Sequence, residues 1–311
     1  MIWKQLILTV SIVHQNTKSN CIEDLLTRGK RLLSSKNIAS YALDAALLLA
    51  EASGFSREKL ITHNNSELSE TQCKRYFELL ERRYKGESIA YILERKEFWG
   101  LEFTVTPAVL VPRPETEILV ETALAVLRCD TSPKNNRNVS GTDTSRSGLD
   151  LCTGSGAVAI ALKHECPELE VWAADVSNKA LVVARKNAET LGCAITFLQG
   201  DLFKALDTQQ RFFLVTANAP YIPSDKIDML MPEVKNEPRL ALDGGFDGLE
   251  IIRRIIKEAP LYLENGGYLV LEADPSQMEK IAVLMKDNGF SEPVLHKDLA
   301  GQNRVIAGKL S

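Results

Sequence analysis

What this sequence has little of narrows its function before any motif is read. It has no basic excess: 37 Lys and Arg stand against 41 Asp and Glu, a formal net charge of −4. A non-specific nucleic-acid coat neutralises phosphates with a basic surface, so that class is disfavoured. Closely paired cysteines are missing. Cys21, Cys73, Cys129, Cys152, Cys166 and Cys193 encode no local zinc knuckle or redox pair, and such wide spacing reads as buried thiols in a reducing compartment. The four histidines, His14, His63, His164 and His296, form no metal-ligand cluster. No run reaches the roughly 18 apolar residues that span a bilayer. Leu6 to Val13 is an apolar stretch after the single Lys4, but no Ala-x-Ala follows and residues 1–20 hold no Arg. It therefore reads as an N-terminal extension and not as a signal peptide or presequence. No internal repeat is present. What remains is ordinary globular composition, 45% hydrophobic and 25% charged over 311 residues, and at about 150 residues per domain the soft expectation is two domains.

Residues 21–85 read as helices. Ile22, Leu25, Leu26, Leu32 and Leu33 recur at three- and four-residue spacings, Tyr41 to Ala52 is a strong helix stopped by Gly54, and Thr71 to Tyr84 is a third with Glu78 placed to pair with Arg82. One apolar face each predicts a small bundle, either a structural cap or a docking domain. Residues 86–128 change character. Phe98, Trp99, Leu101, Phe103 and Val105 around Gly100 predict a short β-hairpin. Pro112 and Pro114 then fix an extended segment, and a helix over 115–128 starts with acids in its first turn. Residues 129–147 are nearly devoid of apolar side chains, a flexible linker. From 148 to 311 strands at 148–152, 169–175, 195–199, 212–217 and 267–272 alternate with helices such as 177–191 and 249–263. That alternation predicts an α/β domain, a mostly parallel sheet covered on both faces.

The sharpest local signal is Asp150-Leu151-Cys152-Thr153-Gly154-Ser155-Gly156-Ala157. A strand ends, a glycine turn follows and a helix begins, so backbone can approach a ligand at a helix N-terminus. Asp175 ends the next strand, where a carboxylate accepts hydrogen bonds from ribose hydroxyls. The glycine spacing fits both a nicotinamide dinucleotide and S-adenosylmethionine. Two residues favour the second. Asp150 would repel a pyrophosphate but meets a cationic methionyl group, and Asp201, after the third strand, can read an adenine amino group or merely cap the turn from Leu202 onward.

The fourth strand ends in Asn218-Ala219-Pro220-Tyr221. Ligands of open parallel sheets bind outside the carboxyl ends of the strands, so these residues share a rim with Gly154 and Asp175. They resemble the Asn-Pro-Pro-Tyr motif of amino-methyltransferases. An amide nitrogen is a feeble nucleophile because its lone pair is delocalised. The Asn218 side-chain oxygen and the carbonyl of Ala219 supply two acceptors for its N–H groups, and Tyr221 can cover its flat face; positioning and fixed dipoles then carry the rate. Ala219 replaces a proline. The carbonyl survives, a locked φ is lost and an extra N–H needs a partner; activity is expected to be retained.

Taken in order, Phe98-Trp99-Gly100, Val111-Pro112-Arg113-Pro114-Glu115-Thr116-Glu117, Asp150 to Gly156, Pro232-Glu233-Val234, Glu237 to Gly245 and Asp298-Leu299-Ala300-Gly301 resemble the HemK/PrmC family of protein-(glutamine N5) methyltransferases. The resemblance runs from about residue 21 to the C-terminus. It implies a Rossmann-like class I methyltransferase domain behind a helical bundle and hairpin junction. It implies that Cys152, Thr153, Gly154, Ser155, Gly156, Asp175, Asp201, Leu202 and Asn218 bind S-adenosylmethionine. Asn218 to Tyr221 would hold the glutamine of the Gly-Gly-Gln loop of class I peptide-chain release factors. Phe98, Arg113 and Glu115 would border that site, the structural alternatives being hairpin core for Phe98 and a domain-joining salt bridge for the other two. Cys152 stands where many members have Gly, Phe213 where an acid is common, and Asp274 near a usual Gly. The implied setting is cytoplasmic, with a monomer that needs no membrane, metal or nucleic-acid substrate. Other readings are a ribosomal-protein glutamine methyltransferase, an adenine N6 methyltransferase, a nicotinamide dehydrogenase and a non-catalytic docking module.

Overall fold

The computed structural model describes residues 19–129 and 146–311. The N-terminal extension and almost all of the 129–147 linker lie outside the described residues; Cys129 ends a helix and Ser147 opens a strand. The chain divides into two compact units, one ending at Leu93 and the other beginning at Glu94.

The first unit is helical: α1 (Ile22–Ser34), α2 (Tyr41–Ser53), α3 (Arg57–Thr62), α4 (Glu70–Tyr84) and α5 (Ile89–Leu93). Ile22, Leu25, Leu33, Leu48, Leu49, Leu79 and Leu80 are fully buried in one cluster, each contributing about 1.5–3 kcal/mol by burial. Gly54 stops α2 with φ +71°, as the sequence predicted. Ser69 starts α4 with a reciprocal cap on Gln72, a device that contributes about 1 kcal/mol. The expected Glu78–Arg82 pair does not form. Arg82 makes a two-pronged contact to Glu87, with Nε 2.8 Å from one carboxylate oxygen, and Glu78 sits 3.9 Å from Arg75 instead. The planar guanidinium favours the bidentate geometry over a single helical contact. Because α5 packs its Ile92 into the same cluster, the helical unit runs past residue 85, to Leu93.

The second unit opens with the hairpin β1 (Arg95–Phe98) and β2 (Leu101–Thr104). Trp99 and Gly100 both have positive φ, +55° and +68°, the two-residue turn whose twist matches a hairpin. A 3-10 turn over Pro114–Thr116 leads into α6 (Glu117–Cys129). The sheet then takes β3 (Ser147–Leu151), β4 (Glu170–Asp175), β5 (Thr196–Gln199), β6 (Phe212–Ala217), β7 (Leu263–Glu272), β8 (Phe290–Lys297) and β9 (Asn303–Leu310) in the order β5-β4-β3-β6-β7-β9-β8. The first five are parallel and β9 runs antiparallel between β7 and β8. Apolar clusters lie on both faces. One packs under α6, α7 (Ala157–Glu165) and α8 (Asn178–Thr190), the other under α9 (Glu250–Glu258) and α10 (Met278–Asp287).

Three local expectations are corrected. The helix placed over 249–263 ends at Glu258, because Pro260 cannot continue it and a 3-10 turn follows. The closing pair β8 and β9 was not anticipated. Pro293 interrupts the β8 pattern at a register shift, and that strand is mostly exposed, so its apolar alternation is weak. Of the free cysteines described, only Cys73 is buried; Cys21, Cys152, Cys166 and Cys193 are partly exposed. No helix among the described residues is long and apolar enough to cross a membrane.

Candidate active site

The strand ends of the second unit converge on two adjoining cavities. The larger, about 280 Å³, is lined by Cys152, Gly154, Asp175, Asp201, Leu202, Asn218 and Pro220, with Val109, Leu110 and Leu240 among its apolar walls. The smaller, about 50 Å³, is lined by Arg113, Thr116, Asp150, Thr153, Ser155 and Asn218, and shares Cys152 and Gly154. Asn218 borders both.

The glycine turn sits between β3 and α7. Cys152, Gly154 and Gly156 have φ +56°, +58° and +82°. A side chain on Gly156 would lie 3.2 Å from the Ala184 methyl, so glycine there lets α7 pack on α8. Asp175 ends β4 and closes the turn. One carboxylate oxygen accepts Gly154 N–H at 2.9 Å and the other accepts Ser177 N–H at 2.8 Å. Burial pushes this carboxyl up, and those two N–H groups oppose the shift. Each oxygen keeps a lone pair for a further donor.

Asp201 does not cap the turn that follows it. Its two oxygens lie 2.8 Å from one Arg254 nitrogen, and Lys204 Nζ is 2.9 Å away. Those cationic hydrogen bonds hold its carboxyl below the ordinary range.

Asp150 is fully enclosed. Its Oδ1 accepts the Thr216 hydroxyl at 2.8 Å, while its Oδ2 and the neighbouring Thr153 Oγ1 have no partner among the described residues. Desolvation pushes the Asp150 carboxyl up to about 7. Unpaired buried oxygens are costly unless a ligand satisfies them. Unsatisfied acceptor oxygens in the smaller cavity, on a carboxyl that a cation would ionise, and ribose-type acceptors in the larger match a ligand with an ammonium at one end and a sugar toward the other.

Asn218 follows β6, whose Ala217 is paired with Leu271 of β7. Its Nδ2 donates to Thr116 Oγ1 at 3.0 Å, which leaves Oδ1 as its acceptor end. Behind it lies Glu272, 2% exposed. Burial drives the Glu272 carboxyl up to about 7, against hydrogen bonds from the Thr116 and Asn218 side chains and the charge of Arg304. Arg113 pairs with Glu237 at 2.6 Å, and Glu237 also accepts Val111 N–H at 3.2 Å.

The remaining sequence candidates scatter. Gly156 supports the helix start, and Ala219 is buried in the sheet core. Tyr221 is half-buried against that core and its backbone carbonyl accepts Gln277 Nε2 at 2.9 Å; it lines neither cavity. Phe98 is hairpin core, 6.0 Å from the Phe103 ring. Glu115 is exposed and lines neither cavity; Arg113 does form a salt bridge, but its partner Glu237 belongs to the same second unit, so it is not the domain-joining bridge expected of that segment. Thr116, Glu237, Arg254 and Glu272 were missed. Thr116 lies in the same proline-rich segment, and Glu272 carries the signal that identified Asp175, an acid ending an apolar strand.

Comparison with known proteins agrees with this geometry. Residues 24–93 match the family described as PrmC N-terminal domain, and residues 149–236 match a methyltransferase domain family. A protein of Coxiella burnetii named release factor glutamine methyltransferase is 43% identical over 86% of this chain and 91% of its own. One of that name from Burkholderia pseudomallei is 41% identical over 86% and 92%. The hMettl16 catalytic domain, solved with a MAT2A 3'UTR hairpin, superposes with TM-score 0.50 at 15% identity, covering 79% of this chain and 84% of that one. At that identity it shows the α/β fold alone.

Proposed function

The chain belongs to the release factor glutamine methyltransferase family, and from that premise we propose that it methylates the side-chain amide nitrogen (N5) of the glutamine in the Gly-Gly-Gln motif of class I peptide-chain release factors, the proteins that end translation. The methyl donor is S-adenosylmethionine, which supplies an electrophilic methyl carried on a cationic sulfur. The residues fit it. Gly154, Asp175, Asp201 and Leu202 would take its nucleoside, and the unpaired Asp150 Oδ2 and Thr153 Oγ1 would take its ammonium.

The observation that carries the reading is the Asn218 carboxamide, whose nitrogen is tied to Thr116 so that its oxygen is left to accept. That oxygen and the Ala219 carbonyl would hold the two N–H groups of the glutamine amide. Held so, the amide turns its lone pair toward the methyl carbon, and entropy that a free encounter loses is already removed. The apolar wall of Val109, Leu110 and Leu240 is assigned to excluding water. The proton leaves to solvent after methyl transfer. The helical first unit is assigned to docking the release factor, on a monomer acting in the cytoplasm without membrane or nucleic-acid contact. Mass spectrometry of a release factor incubated with this protein and S-adenosylmethionine tests the reading. One added methyl on the Gly-Gly-Gln peptide supports it; an unmodified peptide, with the cofactor bound, would reject it.

A further inference from the structure

We infer that Thr116 and Glu272 are positioning residues that fix which end of the Asn218 carboxamide faces the substrate. The two ends of a carboxamide are nearly the same shape, and a half-turn of the side chain exchanges an acceptor for two donors. A glutamine amide presents donors, so a flipped Asn218 would meet donor with donor and the site would be silent. Something has to forbid the flip.

The buried groups behind Asn218 do so by direction. Glu272, at the end of β7, is enclosed, and above about pH 7, where it is ionised, it only accepts. It takes hydrogen bonds from both the Thr116 hydroxyl and the Asn218 side chain. Thr116 Oγ1 must then accept its remaining bond, and Asn218 Nδ2 supplies it at 3.0 Å. Carboxylate and hydroxyl both call for the amide's N–H groups, and Oδ1 points the other way. The second Glu272 oxygen has no partner, so the carboxylate is held by few bonds and the direction of each one counts. Arg304 on β9 favours its charge, Glu115 opposes it, and the Glu272 charge in turn helps push the Tyr221 phenol up.

This rests on the methyltransferase reading above, and its test separates the two. Thr116→Val removes the hydroxyl at nearly constant shape. Glu272→Gln can donate to Thr116, which then turns its own proton toward Asn218 Oδ1 and stabilises the flipped amide. Both variants are expected to lose about 10- to 100-fold in kcat for release-factor methylation, with S-adenosylmethionine affinity by calorimetry within about two-fold. Thr116→Ser, which keeps the hydroxyl, is expected to restore most of the rate. A merely structural role would move Thr116→Ser and cofactor affinity as well. The orientation is also read without substrate. The Asn218 side-chain NH₂ resonances, assigned by their loss in Asn218→Asp, are expected to shift in Thr116→Val and Glu272→Gln and to stay in Thr116→Ser. Unchanged kcat in the first two variants overturns the inference, as do unchanged resonances. A wild-type protein that leaves the release factor unmodified overturns the methylation reading, and the resonances still decide the orientation.

Discussion

Replacing Ala219 by proline should make this protein more stable, and the size of the gain follows from its backbone. Ala219 is 1% exposed, and its N–H has no hydrogen-bond partner among the described residues. A buried unsatisfied N–H costs about 1–3 kcal/mol. Proline deletes that donor. It also restricts the unfolded chain, which adds about 0.4–1 kcal/mol where the native φ suits it. Pro220 already biases residue 219 toward extended geometry, within reach of the proline φ. Together these give about 2 kcal/mol, or a rise in Tm of about 4–8 °C for a unit of this size. Scanning calorimetry of wild type and Ala219→Pro without ligand measures it, with Ala219→Gly as a control that keeps the N–H and should lose up to about 1 kcal/mol. The Ala219 carbonyl is untouched, so turnover should be at least preserved. A Tm unchanged or lowered in the proline variant would refute the reasoning, since the N–H would then be satisfied by solvent or the φ unsuited.

Four further expectations follow from the site. Asn218→Ala should abolish methyl transfer while S-adenosylmethionine affinity by calorimetry stays within a few-fold, because the side chain serves the target amide; normal turnover would move the acceptor elsewhere. Asp175→Ala should weaken cofactor binding by about 10- to 150-fold, the value of a charged hydrogen bond of roughly 1.5–3 kcal/mol, and should also lower Tm because Gly154 and Ser177 lose their acceptor. Asp150 and Glu272 titrate near 7 in the fold against about 4 when unfolded, so between those values the unfolded chain sheds protons first and the ligand-free protein should lose stability as pH rises from about 4.5 to 7. The carboxyls held low, Glu58, Asp201, Asp243, Asp247 and Asp298, change below that window, and the lowered His296 opposes the trend near its upper end; a Tm that climbs across pH 5–7 would contradict the assignment. Cys152 carries a side chain at φ +56°, so Cys152→Gly should stabilise by up to about 1 kcal/mol and the β-branched Cys152→Val should destabilise by more, read by denaturant midpoint.

The parallel sheet and the cofactor turn were legible because their signals are local. Apolar runs separated by helical periods give βα units, and Gly154 and Gly156 sit where positive φ is needed whatever surrounds them. Asp175 and Asn218 were legible because strand ends in such a sheet share one rim. The missed parts depend on distant partners. Pro293 hides β8, and only the ladder to β9 makes that segment a strand. Arg113 was seen but not its partner Glu237, 124 positions away. Within Pro114-Glu115-Thr116 the charged residue drew attention, yet a 3-10 turn there leaves Glu115 exposed and turns Thr116 inward. Charge is conspicuous in a sequence, while a hydroxyl gains its meaning only from what it is buried beside. The same holds at the motif itself: Ala219 for proline looks minor on paper, and the fold turns it into an unpaired donor beside the residue proposed to hold the substrate, where removing one N–H is a sharper test of the site than removing a charge.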